Sequence, residues 1–290
     1  MEPEPVAVEE CVRRALAEDL GRDGDLSGTL AVPGDRTTAA TVRAKAEGVL
    51  AGMPVALACL RQFGPELVGE VLLRDGQALV PGQAVLRVQG NARAVLAVER
   101  TLLNFLQRLC GVATLTRKLV DAVAGTAARI FDTRKTTPGL RLLEKYAVRQ
   151  GGGHNHRIGL FDQIMLKENH FALARPLGYE ELVRRACAAG KGPVVAEART
   201  QEEARCAVRG GAAVVMLDNF VPGPELRAGV QTVREAAKQL GRTVEVEVSG
   251  GVTLANVRAF ADCGVDRISA GALTHSAPAL DLAMKVEGVA

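Results

Sequence analysis

The 290-residue sequence predicts an α/β protein, with an N-terminal α+β domain followed by a parallel βα repeat. Three observations carry this. Before residue 111 the strand candidates are short or alternating and separated by glycine turns, as in an antiparallel sheet. After it strand candidates (VVAEA, AVVML, VEVEV) follow a strand, loop, helix rhythm, as in a parallel βα repeat. Equivalent strand ends recur at βα spacing, 21 residues from Glu197 to Asp218 and 22 from Ser249 to Gly271. A parallel barrel or a doubly wound sheet has that rhythm. The six or seven strand candidates fall short of a full eight-stranded barrel.

In chain order, apolar spacing predicts a helix over Val6 to Asp19, then a loop, DLGRDGDLSGTL, of Asx-type turns. Thr37 to Ala46 alternates as a strand, Glu47-Gly48 turns it, and Met53 to Phe63 reads as a helix. Val71 to Leu73 and Val85 to Val88 form a small antiparallel set with turns at Gly76 and Gly82. Asn91 is a good N-cap for a helix whose inner face carries Val95, Val98, Leu102, Leu106 and Leu109. Gly111 reads as its stop and Thr114 to Ala124 as the next helix, which ends the first domain at residue 111. ARIFD and FDQIML read as strands, with a helix over Leu140 to Val148 between them. The repeat continues as VVAEA and a helix over Gln201 to Arg209, then AVVML, then VEVEV and a helix over Leu254 to Cys263, then RISAG.

Composition excludes several function classes. No apolar run approaches the roughly 20 residues that span a bilayer. The acidic start, MEPEPVAVEE, lacks the basic and apolar regions of a signal peptide. Six scattered cysteines without a C-x-x-C motif are expected as reduced thiols rather than disulfides or zinc ligands, so a cytoplasmic location is expected. The net charge of +3 is too small to argue for nucleic acid.

The cations are instead local. Arg134, Lys135, His156, Arg157 and Lys167 all fall at strand ends or in loops between Asp132 and His170. Like charges on one rim repel and surface ion pairs contribute little, so an anionic ligand with more than one charged group is the economical reading. Glu197 and Asp218 sit at the ends of neighbouring strands. They either balance those cations or bind Mg2+ or ribose hydroxyls. Ser249-Gly250-Gly251 ahead of a helix, with Gly271 on the next strand, suits a phosphate at the last two βα loops of a barrel. His275 either donates to that phosphate or caps a helix. His154 is expected as an exposed loop residue, and Arg100 alone reads as a solvated arginine.

These residues also carry a resemblance. T-R-K-T-T-P-G-x-R from Thr133, E-K-Y-A-V from Glu144, G-G-G-x-N-H-R-x-G-L-x-D from Gly151 and L-K-x-N-H from Leu166 resemble the quinolinate phosphoribosyltransferase family. So do V-E-R-T-x-L-N-F-L-Q-R-L-x-G-x-A-T from Val98, L-D-N-F from Leu217, S-G-G-V-T from Ser249 and A-L-T-H-S-A-P-A-L-D from Ala272. Together they span most of the chain. The departures are Leu26-Ser27 for I-T, Val195 where the family often has Glu, and Glu168 for the usual Asp.

The resemblance implies an incomplete parallel α/β barrel over residues 112–275, an N-terminal α+β sandwich over 1–111, and a C-terminal helix at 276–290 returning to the sandwich. It implies phosphoribosyl transfer from 5-phosphoribosyl-1-diphosphate to quinolinate with decarboxylation, with Mg2+, no organic cofactor, and no nucleic-acid or membrane partner. The implied catalytic residues are Lys135, Lys167, Glu197 and Asp218, with Mg2+ held indirectly by the two carboxylates. Implied substrate contacts add Arg100, Thr133, Arg134, His156, Arg157, Ser249, Gly250, Gly251, Ala270, Gly271 and His275. Arg100 would come from the partner of a homodimer with shared sites. Lys135 is implied at either the diphosphate or the ring carboxylates. Three rival readings stay open at this point: a Schiff-base aldolase using Lys167, a non-catalytic binder, and a relative acting on another base.

Overall fold

Alternating strands and apolar strands build two different sheets in this chain. The computed structural model describes residues 3–287. These divide into two units, the first from the described residues of Met1–Arg117, Thr137–Gly152 and Ser276–Ala290, the second from Lys118–Thr136 and Gly153–His275.

In the first unit, α1 (Pro5–Leu20) buries Val8, Val12 and Leu16, one helical stripe. The expected loop after it holds a short helix, α2 (Leu26–Ala31), capped by the Asp25 carboxylate, which accepts from Gly28 N at 2.9 Å. β1 (Thr37–Ala44), β2 (Gly48–Val49), α3 (Met53–Arg61), β3 (Val68–Val71), β4 (Ala78–Leu79) and β5 (Ala84–Asn91) follow. β2 pairs only with β4, while β1, β3 and β5 join a four-stranded sheet completed by the last strand of the chain.

α4 (Ala92–Ala122) is a single helix of 31 residues. Asn91 Oδ1 caps it, accepting from Arg93 N and Ala94 N, and the expected face, Val95 through Leu109, is buried. The expected stop at Gly111 does not occur. A Cβ there would lie 2.1 Å from Pro278 O, so the glycine lets a returning segment cross the helix closely.

α5 (Arg141–Gln150) also belongs to the first unit rather than to the repeat. Its fully buried Glu144 pairs with Arg108 of α4 at 2.7 Å and accepts from Thr137. The C-terminal segment does return to this unit, but residues 282–286 form a strand and not the expected helix. That strand, numbered β12 below (Leu282–Val286), runs antiparallel to β1 with Val42 opposite Met284. Leu282 and Met284 are buried and Lys285 is exposed, so period two wins over the helical propensity of DLAMK.

The second unit carries β6 (Arg129–Phe131), β7 (Met165–Leu166), α6 (Glu168–Leu173), α7 (Tyr179–Ala188), β8 (Val195–Ala198), α8 (Gln201–Gly210), β9 (Val214–Asp218), α9 (Pro224–Gln239), β10 (Glu245–Ser249), α10 (Val257–Ala261), β11 (Arg267–Ser269) and α11 (Ala272–His275), with β12 beyond it. The six strands are parallel in the order β6-β11-β10-β9-β8-β7. First and last strands are neighbours, as in a barrel, but β6 and β7 are not paired, so the expected incomplete barrel is what forms. His154 is exposed as expected, yet it bridges Phe131 in parallel and covers part of the open edge.

Outward residues Ile130, Val246, Val248 and Ile268 are almost or fully inaccessible beneath the helices. The inner face is charged at β6, β10 and β11 and apolar beneath the site at β8 and β9, where Val195, Val214 and Met216 cluster. Glu245 pairs with Arg129 and Arg267, and both guanidiniums lie over the Phe131 ring, at 5.5 and 5.0 Å.

Gly111→Ala tests the close crossing. In an open helix interior this change stabilises by about 1 kcal/mol. Here the added Cβ meets backbone, and a net loss of about 1–3 kcal/mol is expected in urea unfolding. A stabilised variant would remove the explanation.

Candidate active site

Parallel strands end together, so their C-terminal residues share one mouth. The loop after β6 supplies Thr133, Arg134 and Lys135, β7 leads into Lys167, and β8, β9 and β10 supply Glu197, Asp218 and Ser249. With His156, Arg157 and Gly250 they line a cavity of about 500 Å3. All ten were picked from the sequence.

Local hydrogen bonds explain the placement. Asp132, fully buried at the end of β6, accepts from His156 N at 2.8 Å and from the Asn155 side chain. Those bonds draw the 154–157 loop onto the sheet. Thr133 Oγ1 accepts from Lys135 N, and Thr274 Oγ1 donates to Lys135 O at 2.7 Å, which ties the cationic loop to α11. Gly271 packs tightly against both, since a Cβ there would meet Lys135 Cδ at 3.0 Å and His275 at 3.1 Å. Asn219 holds a left-handed φ of 62° and donates to the Asp218 carboxylate at 2.8 Å.

The electrostatics are those of a site awaiting an anion. Arg157 is buried, its Nη1 donates to Gln163 O at 3.1 Å, and among the described residues it forms no ion pair. Burial and then the nearby Arg134 pull its pKa below the usual guanidinium value, with Asp162 opposing. Lys135 and Lys167 are exposed at the mouth. The Glu197 carboxyl is pushed above its ordinary value chiefly by burial. The Glu168 amide that donates to it at 3.2 Å works against that, and Asp218 adds to it. Burial likewise raises Asp218, against Lys167 and Arg199.

Five expected site residues lie outside the cavity lining. Gly271 and His275 stand beside Lys135, Ala270 is buried and donates its N–H to Phe131 O, and Gly251 follows the lining Gly250. Arg100 is exposed on α4, on the side away from the buried face, in the first unit. The expected helix over Leu254 to Cys263 begins only at Val257, after a turn at 254–256, so helix amides do not directly follow Ser249-Gly250-Gly251. The two glycines still need their left-handed φ values of 102° and 60°. Val195 is fully buried against Val214 and Met216, one layer beneath Glu197.

Sequence reasoning missed Glu247, Ser269, Asn219, Met165 and Met216 in the lining. For Glu247 a signal existed: in VEVEV two glutamates, Glu245 and Glu247, alternate with valines and so share one face of the strand.

The cations gathered at the mouth and the two carboxylates raised by burial define an enzyme-like site for a multiply charged anionic ligand on an open α/β barrel. The sequence matches the quinolinate phosphoribosyl transferase C-terminal domain over residues 112–285 and the N-terminal domain of the same enzyme over 25–110. The chain belongs to the quinolinate phosphoribosyltransferase family. It is 40% identical over 281 residues to the nicotinate-nucleotide pyrophosphorylase (carboxylating) of Mycobacterium leprae, covering 96% of both chains. It is 40% identical over 286 residues to the chloroplastic enzyme of that name from Oryza sativa, covering 95% of this chain and 76% of the other. The solved nicotinate-nucleotide pyrophosphorylase of Francisella tularensis superposes with a TM-score of 0.90 at 37% identity, over 98% of this chain and 97% of that one.

The raised Asp218 carboxyl gives a stability prediction. A folded pKa above the unfolded one means the native state holds the proton longer. Stability then falls as pH rises from the unfolded to the folded pKa, and the full cost persists above both. Asp218→Asn should therefore melt a few degrees higher than wild type at pH 7, with the difference vanishing in acid. Scanning calorimetry against pH checks both halves.

Proposed function

We propose that this chain transfers the phosphoribosyl group of 5-phosphoribosyl-1-diphosphate to quinolinate. Nicotinate mononucleotide, pyrophosphate and carbon dioxide are the products. One observation carries the reading: Arg157 is desolvated, beside Arg134 and without a carboxylate partner among the described residues, in a cavity whose other wall holds Glu197 and Asp218. A ligand with paired carboxylates at one end and a phosphorylated sugar at the other satisfies both walls.

In this reading Arg134, Arg157 and Lys167 hold the two ring carboxylates, where charge-assisted contacts fix the ring. Ser249, Gly250, Gly271 and His275 take the sugar phosphate. Lys135 stands beside Gly271 and His275, which favours a phosphate contact for it. The ring nitrogen attacks the anomeric carbon as pyrophosphate leaves, through an oxocarbenium-like state. The quaternised nitrogen draws electrons from the adjacent C–C bond, carbon dioxide departs, and the ring carbon takes a proton from solvent. The protein's contribution is positioning and electrostatics.

Mg2+ fits the donor set. Among the described residues no three His, Cys, Asp or Glu converge on a metal position. Two carboxylates plus substrate phosphates are a common way to hold Mg2+. Glu197 and Asp218 would hold it, and its charge would stabilise the departing pyrophosphate. No organic cofactor is required.

The reading includes a homodimer with shared sites and a cytoplasmic location. Supporting them are the exposed Leu26 and Leu30, 70% and 90% accessible, the outward Arg100, and six free cysteines. Among the described residues no helix is long and apolar enough to cross a membrane. Lys167 is exposed and lacks the burial that Schiff-base chemistry uses, which weighs against an aldolase.

The deciding assay mixes the protein with quinolinate, the diphosphate donor and Mg2+ and measures carbon dioxide and nicotinate mononucleotide. Nicotinate has one carboxylate fewer. It should be used at least tenfold less well, since a charge-assisted contact contributes roughly 1.5–3 kcal/mol. Comparable turnover of nicotinate would favour a salvage enzyme instead.

Shared sites make a second prediction. Arg100→Ala and Lys167→Ala should each be nearly inactive. Reassembled in equal amounts they should recover about a quarter of wild-type activity, because about half the dimers are mixed and each holds one intact site of two. Heterodimers that remain inactive would place both residues in one chain's pocket.

A further inference from the structure

Glu247 sits in the middle of β10, fully buried, on the face that forms the cavity floor. A carboxylate in that position is costly unless its oxygens are engaged. Ser269 Oγ donates to its Oε1 at 2.6 Å, and His156 Nε2 lies 3.4 Å from the same oxygen. The His156 ring is held at its other nitrogen too, where the Arg157 backbone N–H donates to Nδ1 at 2.7 Å. A ring nitrogen that accepts a hydrogen bond carries no proton, so the proton of the neutral ring is on Nε2, facing Glu247. The Nε2 contact with Glu247 is an electrostatic one rather than a hydrogen bond, and the imidazole stands between the floor carboxylate and the Arg157 backbone. Arg157 in turn points its guanidinium along the cavity wall, with Nη1 on Gln163 O.

We propose that Glu247 is a positioning residue. By holding His156 as the Nε2–H tautomer it fixes the backbone at Arg157 and aims that guanidinium at a substrate carboxylate. Ser269 orients Glu247 and so acts in the same direction, more weakly. The role assigned to His156 changes accordingly: its ring orients Arg157, and the carboxylate contacts fall mainly to the arginines and Lys167. The proposal rests on the quinolinate reading for the identity of the ligand, and on the Nδ1 hydrogen bond and the 3.4 Å contact with Glu247 for the tautomer.

The test combines ring spectroscopy with binding. Long-range 15N–1H correlation on the 15N-labelled protein should show Nε2 protonated and Nδ1 bare for His156. Glu247→Ala should mix the tautomers and weaken quinolinate binding about tenfold, the size of one lost charge-assisted contact. The KM of the diphosphate donor should stay within about twofold, because Glu197 and Asp218 are untouched. Glu247→Gln keeps the shape and one acceptor oxygen and should recover part of the loss. Ser269→Ala should cost about threefold, and both variants keep the test decisive if Glu247→Ala does not fold. An Nδ1–H tautomer in wild type, or a donor KM that moves as far as quinolinate binding, overturns the proposal. A wild-type protein with the expected tautomer that binds no quinolinate overturns the substrate assignment and leaves the tautomer assignment standing.

Discussion

The Asp132 carboxylate, buried at the open edge of the parallel sheet, is the contact on which the site depends. β6 has no neighbouring strand on the side facing β7, and an open edge leaves backbone groups to be satisfied. The 154–157 segment fills part of that gap. His154 bridges Phe131, and Asp132 takes the His156 amide and the Asn155 side chain. The same bonds that close the edge deliver His156 and Arg157 to the cavity. Edge protection and ligand binding thus use one short segment.

The cavity is a balance of costs. Four cations line it, and Arg157 has been taken out of water without an ion pair among the described residues. Opposite them Glu197 and Asp218 are held above their ordinary pKa values by burial. Among the described residues Lys135, Arg157 and Lys167 form no ion pair with Glu197 or Asp218. A protein selected for stability alone would pair or remove them. A ligand with negative charge at two separate points would relieve the cations, and the Mg2+ proposed above would relieve the carboxylates.

Helix and strand positions were legible where one face is buried and the other is not. The stripe Val95–Leu109, the apolar strands and their 21- and 22-residue spacing all appear in the structure close to the expected places. Misreadings came where a residue's reason is a distant neighbour. Gly111 has the look of a helix stop, yet it is there for Pro278, 167 positions along the chain. The resemblance implied a C-terminal helix, yet β1 offers an edge that a strand fills. The S-G-G segment was legible as a glycine turn, but the start of the helix after it was not.

The sequence by itself determined the βα rhythm, the antiparallel first sheet, the family, and ten of the residues that meet in one cavity. It could do so because chemistry at strand ends is concentrated in short local motifs. Only the tertiary structure decided which unit owns α5, that the chain ends in a strand, and that Glu247 and Ser269 stand beneath His156. Those outcomes depend on contacts between segments far apart in the chain. A buried carboxylate in VEVEV is one glutamate among others until the neighbouring strand and loop define what its oxygens touch.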